Sequence, residues 1–160
     1  MFLEFSRDYS GYLQRNSKLM TKPTLSVFTE ITVRFHEVDS LGIVWHGHYL
    51  RYFEDGREAF GKKYQVGYAD FAERGYAVPV VHVHCSYKHP LRYGENIKVI
   101  TTLVNSLSAK LIFDYQILNS EGRLAATGQT TQVLVEKDTN LLCLVLPEFL
   151  VQWKMKHGLM

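Results

Sequence analysis

Between residues 24 and 137, one segment carries a helical apolar repeat, and five shorter ones alternate with a period of two. That imbalance limits the architecture more than any other feature. Over residues 47–64, Tyr49, Tyr52, Phe53, Phe60 and Tyr64 recur at three- and four-residue steps, and Leu50 and Ala59 widen the stripe. A helix apolar around most of its circumference must be wrapped by other elements. The wrapping material is strand. Over 25–35, Val27, Thr29, Ile31, Val33 and Phe35 share one face. Over 77–88, Pro79, Val81, Val83, Cys85 and Tyr87 lie on one face, and His82, His84, Ser86 and Lys88 on the other. Segments 96–105, 110–119 and 123–137 read the same way. Between them stand the turns His89-Pro90-Leu91-Arg92-Tyr93-Gly94 and Ser120-Glu121-Gly122. Such short connections favour antiparallel pairing. A C-terminal helix is expected over 146–156, starting at Pro147. Gly56 costs about 1 kcal/mol of helix propensity and sits on the apolar side, so close approach of a strand is expected there. The fold class is therefore α+β, with a sheet around one central helix.

The chain has 160 residues, which fits one domain with a substantial core. A net charge of +2 gives no electrostatic footprint for nucleic acid. Cys85 and Cys143 form no Cys-x-x-Cys pair, and no secretory signal is visible, so reduced thiols and a cytoplasmic location are expected. No apolar run approaches the roughly 20 residues of a membrane span. Residues 1–23 read as an N-terminal extension distinct from a domain over 24–160. In it Phe2, Phe5, Tyr9, Tyr12 and Leu13 recur at helical spacing, and Lys22-Pro23 ends the unit. Its mixed charges suit packing on the domain or on a partner better than a membrane surface.

The chemistry concentrates between Phe35 and Glu54. Asp39 follows a strand-like run, Gly42 marks a short loop, and the helix begins near Gly47. A helix start has backbone N–H groups without internal partners and the positive end of the dipole. Beside a fixed carboxylate, it can polarise a carbonyl while the carboxylate acts as general base or nucleophile. Asp39 can equally cap its own turn, as Asp does in loops. Glu54, Asp55 and Glu58 lie farther along the helix and read as solvated or paired side chains. His46-x-His48 and His82-x-His84 invite a metal, but no Cys or carboxylate follows at zinc spacing. A hydrated sheet face or a subunit contact accounts better for His82 and His84.

The block Asp39-x-x-Gly42-Ile43-Val44-Trp45-His46-Gly47-x-Tyr49-Leu50-Arg51-Tyr52-Phe53-Glu54 resembles the hotdog-fold acyl-CoA thioesterases of the 4-hydroxybenzoyl-CoA thioesterase-like family. The turn Pro90-Leu91-Arg92-Tyr93-Gly94-Glu95 is a second match, and the resemblance runs over about residues 29–135. It implies a hotdog fold, a five-stranded antiparallel sheet wrapped around one long helix. It implies homodimers with a continuous sheet, many pairing again into homotetramers, with the pocket at the subunit boundary. The implied substrate is an acyl-CoA thioester, with water as acceptor and no metal or cofactor beyond the coenzyme A of the substrate. By match to the motif, Asp39 is the catalytic carboxylate and the backbone N–H near His46 polarises the carbonyl. Trp45 and Tyr49 line the acyl pocket or serve the core, and Gly47 stands at the helix start. Many relatives carry Ser or Asn at position 47, which cap a helix better than glycine. Lys88 and Arg92 are the cations expected for the coenzyme A phosphates. Two further readings stand beside this one: an acyl-carrier-protein thioesterase, and a non-catalytic thioester-binding module on the same scaffold.

Overall fold

A computed structural model describes residues 24–160 of the chain; the helix expected within 1–23 lies outside the described residues. Five strands form one antiparallel sheet: Ser26–Thr32 (β1), Val80–Tyr87 (β3), Asn96–Val104 (β4), Lys110–Leu118 (β5) and Leu124–Val133 (β6). Their spatial order is β1-β4-β5-β6-β3. The long helix Tyr49–Tyr64 (α1) lies in the concave face of this sheet, which is the hotdog arrangement. A short helix, Tyr68–Glu73 (α2), and the C-terminal helix Glu148–Lys156 (α3) complete the layer. Pro147 stands at the start of α3, as its fixed φ favours.

Alternation along the strands sorts the side chains. Ile97, Val99, Thr101 and Leu103 of β4 and Leu111, Phe113, Tyr115 and Ile117 of β5 are buried against α1. From the helix, Tyr52, Phe53 and Phe60 are fully buried. Phe53 stacks on Tyr115 at 4.3 Å, and Phe60 meets Phe113 edge-on at 5.1 Å. Each such ring contributes about 1.5–3 kcal/mol by its removal from water. The expected close approach at Gly56 is present. A Cβ there would run into Thr101 Oγ1 and stand 3.2 Å from Val99 Cγ1. At the far end of α1, Trp153 Nε1 donates to Tyr64 O at 2.7 Å. The buried Lys154 donates to Asn105 Oδ1 and Ser106 O, which ties α3 to the β4–β5 connection.

Three expectations need correction. The strand expected over 25–35 ends at Thr32, and Phe35 is 76% exposed instead of facing inward. The cause is local: Arg34 N–H is held by the buried Glu37 carboxylate at 2.7 Å, which winds Phe35–Glu37 into a 3-10 turn. The segment 77–88 divides. Tyr76–Ala77 (β2) leaves the main sheet to pair with Val135–Glu136 (β7), and β3 begins at Val80, with a register slip between Val80 and His82. The segment 123–137 divides likewise, with Leu134 fully buried between β6 and β7. The alternation runs through both breaks, so periodicity alone cannot reveal them. No described helix is long and apolar enough to cross a membrane.

Gly56→Val is expected to lower folding stability by about 1–3 kcal/mol through overpacking against β4. Urea unfolding midpoints at unchanged m-value check it, and an unaltered midpoint contradicts the tight contact.

Candidate active site

The site grows from the loop that joins β1 to α1. Val38 bridges Val44, and residues 39–42 fold into a tight turn between them. Gly42 N–H donates to Asp39 O and Asp39 N–H to Ile43 O, both at 2.9 Å. Gly42 has φ +71°, a conformation that glycine adopts without steric cost. Asp39 Oδ1 accepts the Leu41 N–H at 2.8 Å. The turn-capping role is therefore real, but it engages one carboxylate oxygen. Among the described residues, Oδ2 has no hydrogen-bond or ion-pair partner.

The return arm is fixed just as firmly. Val44 N–H donates to Leu91 O and Trp45 N–H to Glu37 O, both at 2.9 Å. The chain then enters a 3-10 turn, His46–His48, that runs directly into α1. His48 N–H reaches back to Trp45 O at 2.9 Å, and no side chain caps this end. Among the described residues, the N–H groups of His46 and Gly47 meet no acceptor outside the helix. These are the open donors that every helix start presents, here concentrated at the first two positions. Gly47 is required by its neighbour: a Cβ at this position would collide with the indole ring of Trp45. Trp45 lies across the helix start, 48% exposed, with its ring 4.7 Å from that of His46.

A cleft of about 450 Å³ opens beside this turn. Asp39, His46, Tyr49 and Lys88 line it, with Tyr87 and Pro90. Four of the residues singled out from sequence thus share one cavity. Trp45, Gly47 and Arg92 are not among its lining residues. Arg92 is exposed in the turn before β4, where its backbone N–H donates to Glu95 Oε2 at 3.1 Å. Glu54, Asp55 and Glu58 line a separate open groove beside β1, together with Arg34. Partial burial pushes the Asp55 carboxyl upward, and the Arg34 cation opposes it. His82 and His84 lie on β3, away from the cleft. Among the described residues, no three His, Cys, Asp or Glu side chains gather as metal ligands.

Two residues that carry the geometry had been given no role. Glu37 is 4% exposed, and its Oε2 accepts from Tyr52 Oη at 2.9 Å and from Arg34 N–H at 2.7 Å. One carboxylate thereby fastens the arm of the Asp39 loop to the second turn of α1. The available signal was Tyr52 itself: a tyrosine on a buried stripe needs a partner for its hydroxyl. Tyr87, at the end of β3, donates from Oη to His46 O at 3.0 Å and packs edge-on against Tyr49 at 4.9 Å. The edge strand therefore touches the helix start directly.

Burial pushes the Tyr49 phenol from 10.0 up to about 12, with the Cys85 thiol adding to the shift and the Leu91 backbone opposing it. Tyr52 moves upward as well, by burial and by donation to Glu37. The folded protein keeps the Tyr49 proton where the unfolded chain has lost it. The stabilising contribution is thus complete below pH 10 and vanishes as pH climbs toward 12. Stability is expected to fall there by up to about 1.4 kcal/mol per pH unit for each such phenol. Tyr49→Phe flattens the fall, as urea titrations between those pH limits will read. Glu37→Ala is expected to cost about 1–3 kcal/mol by leaving the Tyr52 hydroxyl buried without its acceptor. Tyr52→Phe in the same background recovers part of the loss.

The profile of the Thioesterase-like superfamily matches residues 33–153. The chain is 37% identical over 110 residues to the Bacillus subtilis protein named "Putative acyl-CoA thioesterase YneP", covering 69% of this chain and 80% of that one. It is 28% identical over 102 residues to the acyl-acyl carrier protein thioesterase ATL3 of Arabidopsis thaliana, covering 62% of this chain and 54% of that one. Among solved structures, the DHNA-CoA thioesterase of Staphylococcus aureus superposes with a TM-score of 0.74 at 31% identity, over 81% of this chain and 87% of that one. The matched span holds the Asp39 turn, the helix start and four of the five sheet strands, β1 lying just before it, and the chain accordingly belongs to the Thioesterase-like superfamily, as a hotdog-fold thioester hydrolase.

Proposed function

We propose that the protein hydrolyses acyl-CoA thioesters to free acid and coenzyme A in the cytoplasm. One observation carries the reading: a carboxylate with an unengaged oxygen and an uncapped helix start belong to the same cleft. The thioester carbonyl accepts from the His46 N–H, where the helix dipole adds roughly half a positive charge. Charge builds on that oxygen as the acyl carbon becomes tetrahedral, so the interaction strengthens along the reaction. Asp39 either removes a proton from the attacking water or attacks the carbon itself to give a mixed anhydride, which water then cleaves to the free acid and the Asp39 carboxylate. The bond that breaks is carbon–sulfur, and the thiol leaves as coenzyme A. Tyr49 forms an apolar wall for the acyl group, and Trp45 and Gly47 shape the rim at the helix start. Lys88 and, farther out, Arg92 supply positive charge for the phosphates of the leaving group.

A second copy completes the assembly. Among the described residues, β3 is an open edge of eight residues without a proline or a charged Lys, Arg, Asp or Glu, and Val81, Val83 and Tyr87 are exposed along it. Monomeric proteins guard such edges with charge, proline or a bulge that turns them away; here the one irregularity is confined to the start of the strand, between Val80 and His82. Antiparallel pairing of β3 with itself makes a closed two-fold contact and one continuous sheet. Because Tyr87 also bonds to His46 O, the helix start then lies beside the subunit boundary.

The resemblance to the Arabidopsis carrier-protein enzyme supports a second reading, in which the same cleft acts on acyl groups borne by acyl carrier protein. Rates on one acyl chain presented on coenzyme A and on carrier protein separate the two.

Asp39→Asn is expected to lower thioester turnover by about 10²–10⁴-fold with the circular dichroism spectrum unchanged. Thiol release over short, long, branched and aromatic acyl-CoAs measures it. Full turnover by the folded variant removes Asp39 from the reaction, and tight binding without turnover in the wild type points to a non-catalytic module. Lys88→Ala is expected to raise KM for acyl-CoA more than it lowers kcat, and the effect disappears with a thioester that lacks the nucleotide.

A further inference from the structure

We propose that two copies of this chain hold a divalent transition-metal ion between them, with His82 and His84 of each β3 strand as its ligands. The inference rests on the β3 dimer proposed above.

The pairing of β3 with β6 fixes where these imidazoles go. His82 stands opposite Thr131, His84 opposite Gln129 and Ser86 opposite Thr127. Their β6 partners lie on the outer, half-buried face of that strand, whereas Gly128 and Thr130, opposite Cys85 and Val83, are buried toward α1. His82 and His84 are therefore both exposed on the outer face of the sheet. In the same ladder Lys88 N–H bonds to Ala125 O at 2.8 Å. Hydrogen-bonded positions alternate along an antiparallel strand. Ser86, His84 and His82 consequently bond inward to β6, while Tyr87, Cys85 and Val83 direct their N–H and C=O groups to the open edge.

A second β3 strand must bond through those odd-numbered residues. The even-numbered residues then form the non-hydrogen-bonded pairs, where side chains stand closest, with Cα atoms about 4.5 Å apart. Overlap of the eight-residue strand with itself is greatest when the two-fold axis passes near its middle, at Val83 or at His84. With the axis at Val83, His82 faces His84 of the second copy, and the reverse. With the axis at His84, the two His84 rings face one another and His82 faces Ser86. Either register sets imidazoles of two chains side by side.

One chain does not complete such a site, since no three candidate ligands gather among its described residues. With the axis at Val83, two chains bring four imidazoles together, a set suited to tetrahedral zinc and to other divalent ions of the nitrogen-preferring class; with the axis at His84, the facing pair is His84 with His84. The surroundings agree. Ser86 Oγ lies 3.1 Å from His84 Nε2, which orients the ring and leaves Nδ1 for an ion. The facing residues on β6 are Thr127, Gln129 and Thr131, none of them charged. The nearest carboxylate in the next strand, Asp114, is engaged by Gln129 Nε2 at 2.8 Å. Lys88, the cation next along this face of the chain, lies beyond the end of β3 and lines the cleft.

Metal bound between copies must tighten their association, because an ion that prefers the dimer shifts the equilibrium toward it. The test is sedimentation of the full chain over a dilution series, after chelator treatment, with and without zinc chloride. Magnesium chloride serves as the hard-ion control. Zinc is expected to lower the dimer dissociation constant by about tenfold or more, magnesium to leave it unchanged, and His82→Ala/His84→Ala to form the metal-free dimer with no response to zinc. Calorimetric titration of zinc is expected to show a bound ion in the wild type and none of that affinity in the double variant. A wild-type dimer indifferent to zinc, or a double variant that responds equally, overturns the metal site and leaves the dimer standing. A chain that stays monomeric in every condition overturns the dimer and the metal site together.

Discussion

The carboxylate of Glu37 governs the geometry from which everything functional follows. It accepts from the Tyr52 hydroxyl and the Arg34 amide, while the Glu37 carbonyl takes the Trp45 N–H. One residue thereby binds the outgoing arm of the loop, its returning arm and the helix that follows. A buried carboxylate is expensive to desolvate and persists only where several donors meet it. The gain is rigidity: the turn that bears Asp39 cannot shift relative to the first turns of α1 without breaking these bonds.

Rigidity of that kind suits a site built largely from backbone. The donors at the helix start are amides, which no substitution other than proline removes, and among the described residues no side chain caps them. Gly47 and Trp45 share the consequence. A side chain at 47 would meet the indole, which occupies the space beside that Cα. The chain instead lays an aromatic plate over the helix start. On the other side of the loop, Asp39 divides its oxygens between holding the turn and leaving one unengaged. Structural and chemical readings of this residue are therefore compatible.

Most of the architecture could be read from periodicity because the physics is repetitive there. The helical stripe, the alternating strands and even the reason for Gly56 are written in residue spacing. What stayed hidden is what depends on single interactions. Phe35 continues the alternation of β1, but Glu37 ends the strand before it. β2 and β7 continue the patterns of their longer neighbours and are separated only by a change of partner. Helix α2 spans six residues, too few for a stripe, and is announced only by Asp70 accepting the Gly67 N–H. At the site, Asp39, His46, Tyr49 and Lys88 were legible because the motif and the turn that follows carry them. Glu37 and Tyr87 were not, because each acts through a contact many positions away in sequence.

The same edge strand bears on how the chain reaches its native state. Among the described residues of one chain, β3 pairs with β6 alone, so Val80–Tyr87 waits for Leu124–Val133 to be synthesised before it finds that ladder. During that interval an apolar segment without gatekeeper charges is accessible to any other nascent strand. Refolding yield should therefore depend on protein concentration more steeply than final stability does.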